Sequence, residues 1–124
     1  DPYPAVASKA IEITLKSIDS IRRMLASNGP KFMIANLPYQ EQVYVKEMQG
    51  SGYNVERPQS YLQDYAMDND IPYLDLLPPL RDYVRINSKK IYVTGDPHFN
   101  TSGHEIVGSL VAQWFLQQGF QQRE

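Results

Sequence analysis

Asp96 and His98 stand one residue apart in Gly95-Asp96-Pro97-His98-Phe99-Asn100, directly after the β-prone run Lys90-Ile91-Tyr92-Val93-Thr94. Residues two apart in an extended segment point to the same side, and Pro97 restricts the backbone by fixing its own φ. A carboxylate beside an imidazole can hold one tautomer and stabilise the imidazolium formed when the ring accepts a proton. General-base work of that kind is worth about 10²–10⁴ in rate. The same short pattern also fits a His98 that merely caps the next helix or bonds a backbone carbonyl. His104 adds a third donor within the same stretch, and imidazole with carboxylate suits zinc. A fourth ligand is not apparent, so no metal is expected, and no other cofactor is expected either.

Periodicity predicts the helices and strands around this segment. Ile11, Leu15, Ile18, Ile21, Met24 and Leu25 recur at three- and four-residue steps and predict an amphipathic helix over 5–27. Asn28-Gly29-Pro30 ends it. Phe32 to Leu37 is a short apolar run closed by Pro38, suited to a strand of a parallel sheet. Gln40 to Glu56 has no clean period and reads as a loop with one helical turn around Glu41 to Met48. Pro58 opens a helix whose stripe is Tyr61, Leu62, Tyr65 and Ala66, and Asn69-Asp70 breaks it. Ile71 to Leu77 predicts a second strand stopped by Pro78-Pro79, with a short helical turn over Leu80 to Val84. Asp75 inside that strand reads as a structural carboxylate bonded locally, because an unpaired one there is costly.

Lys90 to Thr94 predicts a third, short strand, and the loop carrying Asp96 and His98 would lie at its carboxyl end, where α/β sheets gather function. Ser102 and Glu105 have capping-box spacing. Ile106, Val107, Leu110, Val111, Trp114 and Phe115 mark the last helix, capped by Gly119. Asn100-Thr101-Ser102 matches a glycosylation pattern, but a role within the loop is the better reading. The order is helix, strand, helix, strand, short strand, helix, which argues for α/β layering over a single partial domain spanning 1–124.

Asp96-Pro97-His98-Phe99-Asn100-Thr101-Ser102-Gly103-His104 resembles the closing block of SGNH/GDSL-type hydrolases, in the variant Asp-x-His-aromatic-Asn-x-x-Gly-His. Leu37-Pro38 with Glu41-Gln42-Val43-Tyr44, and Ile71-Pro72-Tyr73-Leu74-Asp75-Leu76-Leu77-Pro78, resemble two earlier segments of that group more weakly. The resemblance covers most of the chain from about Ala5 onward. It implies the C-terminal part of a flavodoxin-like three-layer sandwich with a short parallel sheet. It implies Asp96 as orienting carboxylate and His98 as general base of a Ser-His-Asp esterase or acyltransferase, and His104 as a packing residue at a helix start. Its substrates would be acyl esters, including acetylated carbohydrates, and its compartment periplasmic or secreted. The commonest members separate Asp and His by two residues, whereas one separates them here.

The family's Gly-Asp-Ser strand and its oxyanion-hole Gly and Asn blocks are not recognisable. Gly50-Ser51-Gly52 follows no strand and lacks the G-x-S-x-G spacing, so it reads as loop. Asn36 lies outside the family's Asn block. Without nucleophile and oxyanion hole the dyad cannot run an acyl-transfer cycle alone. The chain opens on Asp1, and the expectation is a processed or fragmentary product whose upstream segment supplies the serine. The rival expectation is a non-catalytic α/β binding or assembly module.

Composition narrows the rest. The 124 residues, 42% hydrophobic and 21% charged, describe one ordinary globular domain. A net charge of −2 without a basic stripe argues against nucleic acid. No apolar run approaches the roughly 20 residues of a membrane span, and no signal peptide is visible. The absence of cysteine excludes disulfides and thiolate chemistry. A truncated parallel sheet would expose an apolar edge, which predicts self-association.

Overall fold

The computed structural model describes residues 5–26, 29, 31–44 and 55–119. Its elements are α1 (Ala5–Ala26), β1 (Ile34–Asn36), α2 (Gln40–Tyr44), α3 (Arg57–Asp68), β2 (Tyr73–Asp75), α4 (Leu77–Asn87) and α5 (Thr101–Gln117). The architecture is mixed helix and strand, with β1 and β2 paired as a two-stranded parallel sheet. No helix among the described residues is long and apolar enough to cross a membrane. The chain divides into two compact units, one drawn from 1–34 and 46–73 and the other from 35–45 and 74–124.

In the first unit α1 lies against α3. Ile11, Leu15, Ile18 and Leu25 form the half-buried stripe that the period predicts. Ile21 and Met24, expected on that face, are 50% and 71% exposed instead. The stripe is narrower because Arg22 takes the next place along it, half-buried and bonded to Asp19 at 2.9 Å. The Tyr65 hydroxyl of α3 donates to the same Asp19 carboxylate at 3.2 Å. Arg57 and Pro58 open α3, where a proline costs no intrahelical bond. At its end Asp70 adopts φ 51° and Ile71 N donates to Ala66 O at 2.8 Å, which turns the chain toward β2.

The second unit holds the hydrophobic cluster Val43, Leu76, Leu77, Leu80, Ile91 and Tyr92, with the inner faces of α4 and α5 packed on it. Leu76, Leu80 and Ile91 are fully buried, and burial of one such side chain favours folding by about 1.5–3 kcal/mol. Arg81 Nε donates to the Gln42 carbonyl at 2.8 Å, joining α4 to α2.

Three sequence expectations change here. The strand expected over Ile71–Leu77 is confined to Tyr73–Asp75, and Pro78-Pro79 do not end a strand. They sit in the first turn of α4, where their missing N–H groups would have no helical partner anyway. The short turn expected at Leu80 to Val84 is therefore a full helix, Leu77–Asn87. Asp75 launches it by accepting the Leu77 N–H at 2.9 Å, the local bond expected of that carboxylate.

The strand expected over Lys90–Thr94 does not join the sheet. It is reduced to one antiparallel bridge between Tyr92 and Phe99. Its outward-facing polar groups are met by side chains rather than by a neighbouring strand, as described below. The capping box expected at Ser102 and Glu105 is replaced by an Asn100 cap, whose side chain accepts from Gly103 N. The helical turn expected around Glu41 to Met48 appears in its described part as α2. Gly50-Ser51-Gly52 lies outside the described residues.

Candidate functional site

The chain from Ile91 to Asn100 folds back on itself as a tight hairpin. Val93 N donates to His98 O at 2.9 Å and Asn100 N to Ile91 O at 3.0 Å, flanking the Tyr92–Phe99 bridge. Gly95 makes the turn at φ 76°, a left-handed conformation that suits glycine. Asp96 N then donates to Val93 O at 3.2 Å, which places Asp96 and His98 at the tip.

The two residues meet directly. Asp96 Oδ1 accepts the backbone N–H of His98 at 2.8 Å and also contacts the His98 ring at Nδ1. Both interactions favour the ionised carboxylate, the backbone bond most, and they hold Asp96 below its ordinary 3.8. An ionised carboxylate only accepts hydrogen bonds, so this contact favours the hydrogen on Nδ1 and leaves Nε2 turned outward as the acceptor. That is the tautomer a general base needs. The pair is open to water, with side chains 47% and 81% exposed for Asp96 and His98. Solvent therefore weakens their attraction.

Two residues hold the ends of the hairpin. Asn100 Oδ1 caps α5 by accepting Gly103 N at 2.9 Å, while its Nδ2 donates to Lys90 O at 2.9 Å and Tyr92 O at 3.3 Å. The Tyr44 hydroxyl accepts both Ile91 N, at 2.6 Å, and Tyr92 N, at 3.1 Å. Tyr92 in turn donates its hydroxyl to Pro38 O at 2.6 Å, and burial pushes that phenol far above its ordinary value of 10.0. It is a neutral donor at any ordinary pH. Aromatic rings fill the space beneath, with Tyr92 and Phe99 centroids 4.5 Å apart and Tyr44 edge-on to Tyr92 at 5.7 Å.

His104 does not join the dyad. It is exposed on the first turn of α5, with its ring edge-on to Phe99 at 6.0 Å, the packing place expected of it. Among the described residues no group of three or more His, Asp or Glu is placed to hold a metal ion. Asn36 ends β1, its carbonyl accepting Leu76 N at 3.2 Å.

Sequence reasoning placed Asp96 and His98 together but missed both holders. Asn100 was legible, since Asn immediately before a helix start is a favoured cap. Tyr44 was not, because it reaches its partners from 47 and 48 residues away. Comparison with known proteins gives no match to any family model, curated protein or solved structure.

Proposed function

We propose that this chain supplies the acid–base half of an SGNH-type serine hydrolase site acting on acyl esters. The observation that carries the reading is the Asp96 carboxylate on the backbone N–H and Nδ1 of His98, which leaves Nε2 as the proton acceptor. In this reading a serine from an upstream segment of the same protein attacks the ester carbonyl while His98 Nε2 takes its proton. The resulting imidazolium, steadied by Asp96, returns the proton to the departing alcohol. Water as second acceptor completes hydrolysis, and a sugar hydroxyl completes transfer of the acyl group. The same upstream segment would complete the short parallel sheet into a flavodoxin-like three-layer sandwich and bring the oxyanion-hole donors.

A fluorophosphonate probe tests this on the natural full-length protein. The expected result is labelling of one serine, slowed about 10²-fold or more by His98→Ala. A folded full-length protein that takes no label supports the second reading, a non-catalytic binding or assembly module.

A further inference from the structure

Beside the packing of Ile91, Tyr92 and Phe99 in the core and against the first turn of α5, the hairpin that carries Asp96 and His98 has two kinds of hydrogen-bond restraint. One kind is internal: the Tyr92–Phe99 bridge, the Val93–His98 and Asn100–Ile91 backbone bonds, and the Asn100 amide on Lys90 and Tyr92 carbonyls. These tie the two arms to one another, and every partner lies within the same short stretch of chain. The other kind comes from α2 and the residues before it. The Tyr44 hydroxyl takes the N–H groups of Ile91 and Tyr92, and Tyr92 reaches back to Pro38 O.

The geometry explains why a tyrosine is needed. Around the Tyr92–Phe99 bridge the backbone bonds belong to the flanking residues, so the N–H and C=O of Tyr92 face away from the hairpin partner. In a sheet the next strand would satisfy them. Here Asn100 meets the carbonyl and Tyr44 meets the N–H. Ile91 and Tyr92 are buried, so water is a poor substitute for the phenol oxygen. One oxygen accepting two successive N–H groups also fixes the direction in which the strand runs into the loop.

We propose that Tyr44 is a positioning residue for His98, setting the pose of the hairpin from which the imidazole presents Nε2. The proposal deepens the acid–base reading of the Asp96–His98 pair and rests on it. Tyr44 touches neither side chain of the pair. It acts by anchoring the strand that leads into the turn, so that the loop closes with the His98 ring against the Asp96 carboxylate.

Tyr44→Phe in the full chain tests it, because the substitution keeps the ring and its edge contact with Tyr92 while removing only the oxygen. The readout is the tautomer of His98, from the ¹⁵N shifts of its two ring nitrogens. His104→Gln in the background leaves His98 as the sole histidine signal. In the parent the Nδ1–H form is expected to exceed the Nε2–H form by about tenfold or more, and in Tyr44→Phe that ratio is expected to fall at least about threefold. A loss of global stability alone would not change the ratio within the folded molecules. A folded Tyr44→Phe variant with the parent ratio overturns the proposal.

Should Tyr44→Phe not fold, amide exchange in the parent chain decides instead. Ile91 and Tyr92 amides that exchange about tenfold or more slowly than those of Thr94 and Gly95 support the anchor, and equal rates overturn it. Absence of fluorophosphonate labelling with a tautomer shift in Tyr44→Phe sinks the hydrolase reading and leaves the positioning role standing. Labelling with no tautomer shift does the reverse.

Discussion

A single carboxylate oxygen does two things for His98, and both can be measured. Asp96 accepts the backbone N–H, which shapes the turn, and contacts Nδ1, which selects the tautomer. Asp96→Asn is expected to shift the His98 ¹⁵N pattern toward the Nε2–H form, since an amide no longer demands a donor at Nδ1. The pH dependence follows from the direction of the Asp96 shift. Its folded value lies below the ordinary 3.8, so its contribution to the folded state is complete above the ordinary value. That contribution is lost as pH falls through the depressed one. A ¹³C carboxyl titration of Asp96 is expected to give a midpoint under 3.8, and a midpoint at or above it would contradict the pairing. Tyr92 offers a buried counterpart. Tyr92→Phe removes the donor to Pro38 O and is expected to cost about 1–2 kcal/mol in urea denaturation.

At the scale of elements, α5 is held to the hairpin at its first turn. A Cβ on Gly103 would overlap the Ile91 carbonyl oxygen and come within 2.9 Å of Phe99 Cβ. Backbone cannot yield there as a flexible side-chain end would, so Gly103→Ala is expected to cost about 1–3 kcal/mol in the same assay. Asn100 separates two duties. Asn100→Asp keeps an oxygen to cap Gly103 N but loses the donors to Lys90 O and Tyr92 O, whereas Asn100→Ala loses all three bonds. In Asn100→Asp an acceptor-only oxygen also faces the Lys90 and Tyr92 carbonyl oxygens, so both variants are expected to cost about 1 kcal/mol or more in urea denaturation. A loss under about 0.5 kcal/mol in Asn100→Ala would contradict the holding role.

The helices of this molecule were legible where a stripe of spaced apolar residues met a clear stop. The stripe Ile11, Leu15, Ile18, Ile21, Met24 and Leu25 predicts α1, although Ile21 and Met24 are exposed, and α3 follows from Pro58 onward. Pro78-Pro79 fits a strand end and a helix start equally well, and in the structure it lies in the first turn of α4, with Leu77 and Leu80 packed in the core and Asp75 accepting Leu77 N. Among the described residues the two short strands pair with each other and with no third strand, which leaves an outer edge on each. Unpaired strand edges invite other chains. Sedimentation velocity is therefore expected to show concentration-dependent association, and a monodisperse monomer would count against it.

Chain order records local relations directly: the spacing of Asp96, Pro97 and His98, a loop after the run 90–94, and a helix after that loop all depend on neighbours a few residues apart. Which distant groups meet is settled only by folding. The hydroxyl of Tyr44 on the N–H groups of Ile91 and Tyr92, and the Tyr92 hydroxyl on Pro38, join positions more than forty residues apart. These contacts meet the outward-facing groups of the strand that leads into the hairpin, where a third sheet strand would have met a neighbouring strand. No periodicity encodes them, because a buried N–H needs an acceptor but does not specify where in the chain that acceptor lies.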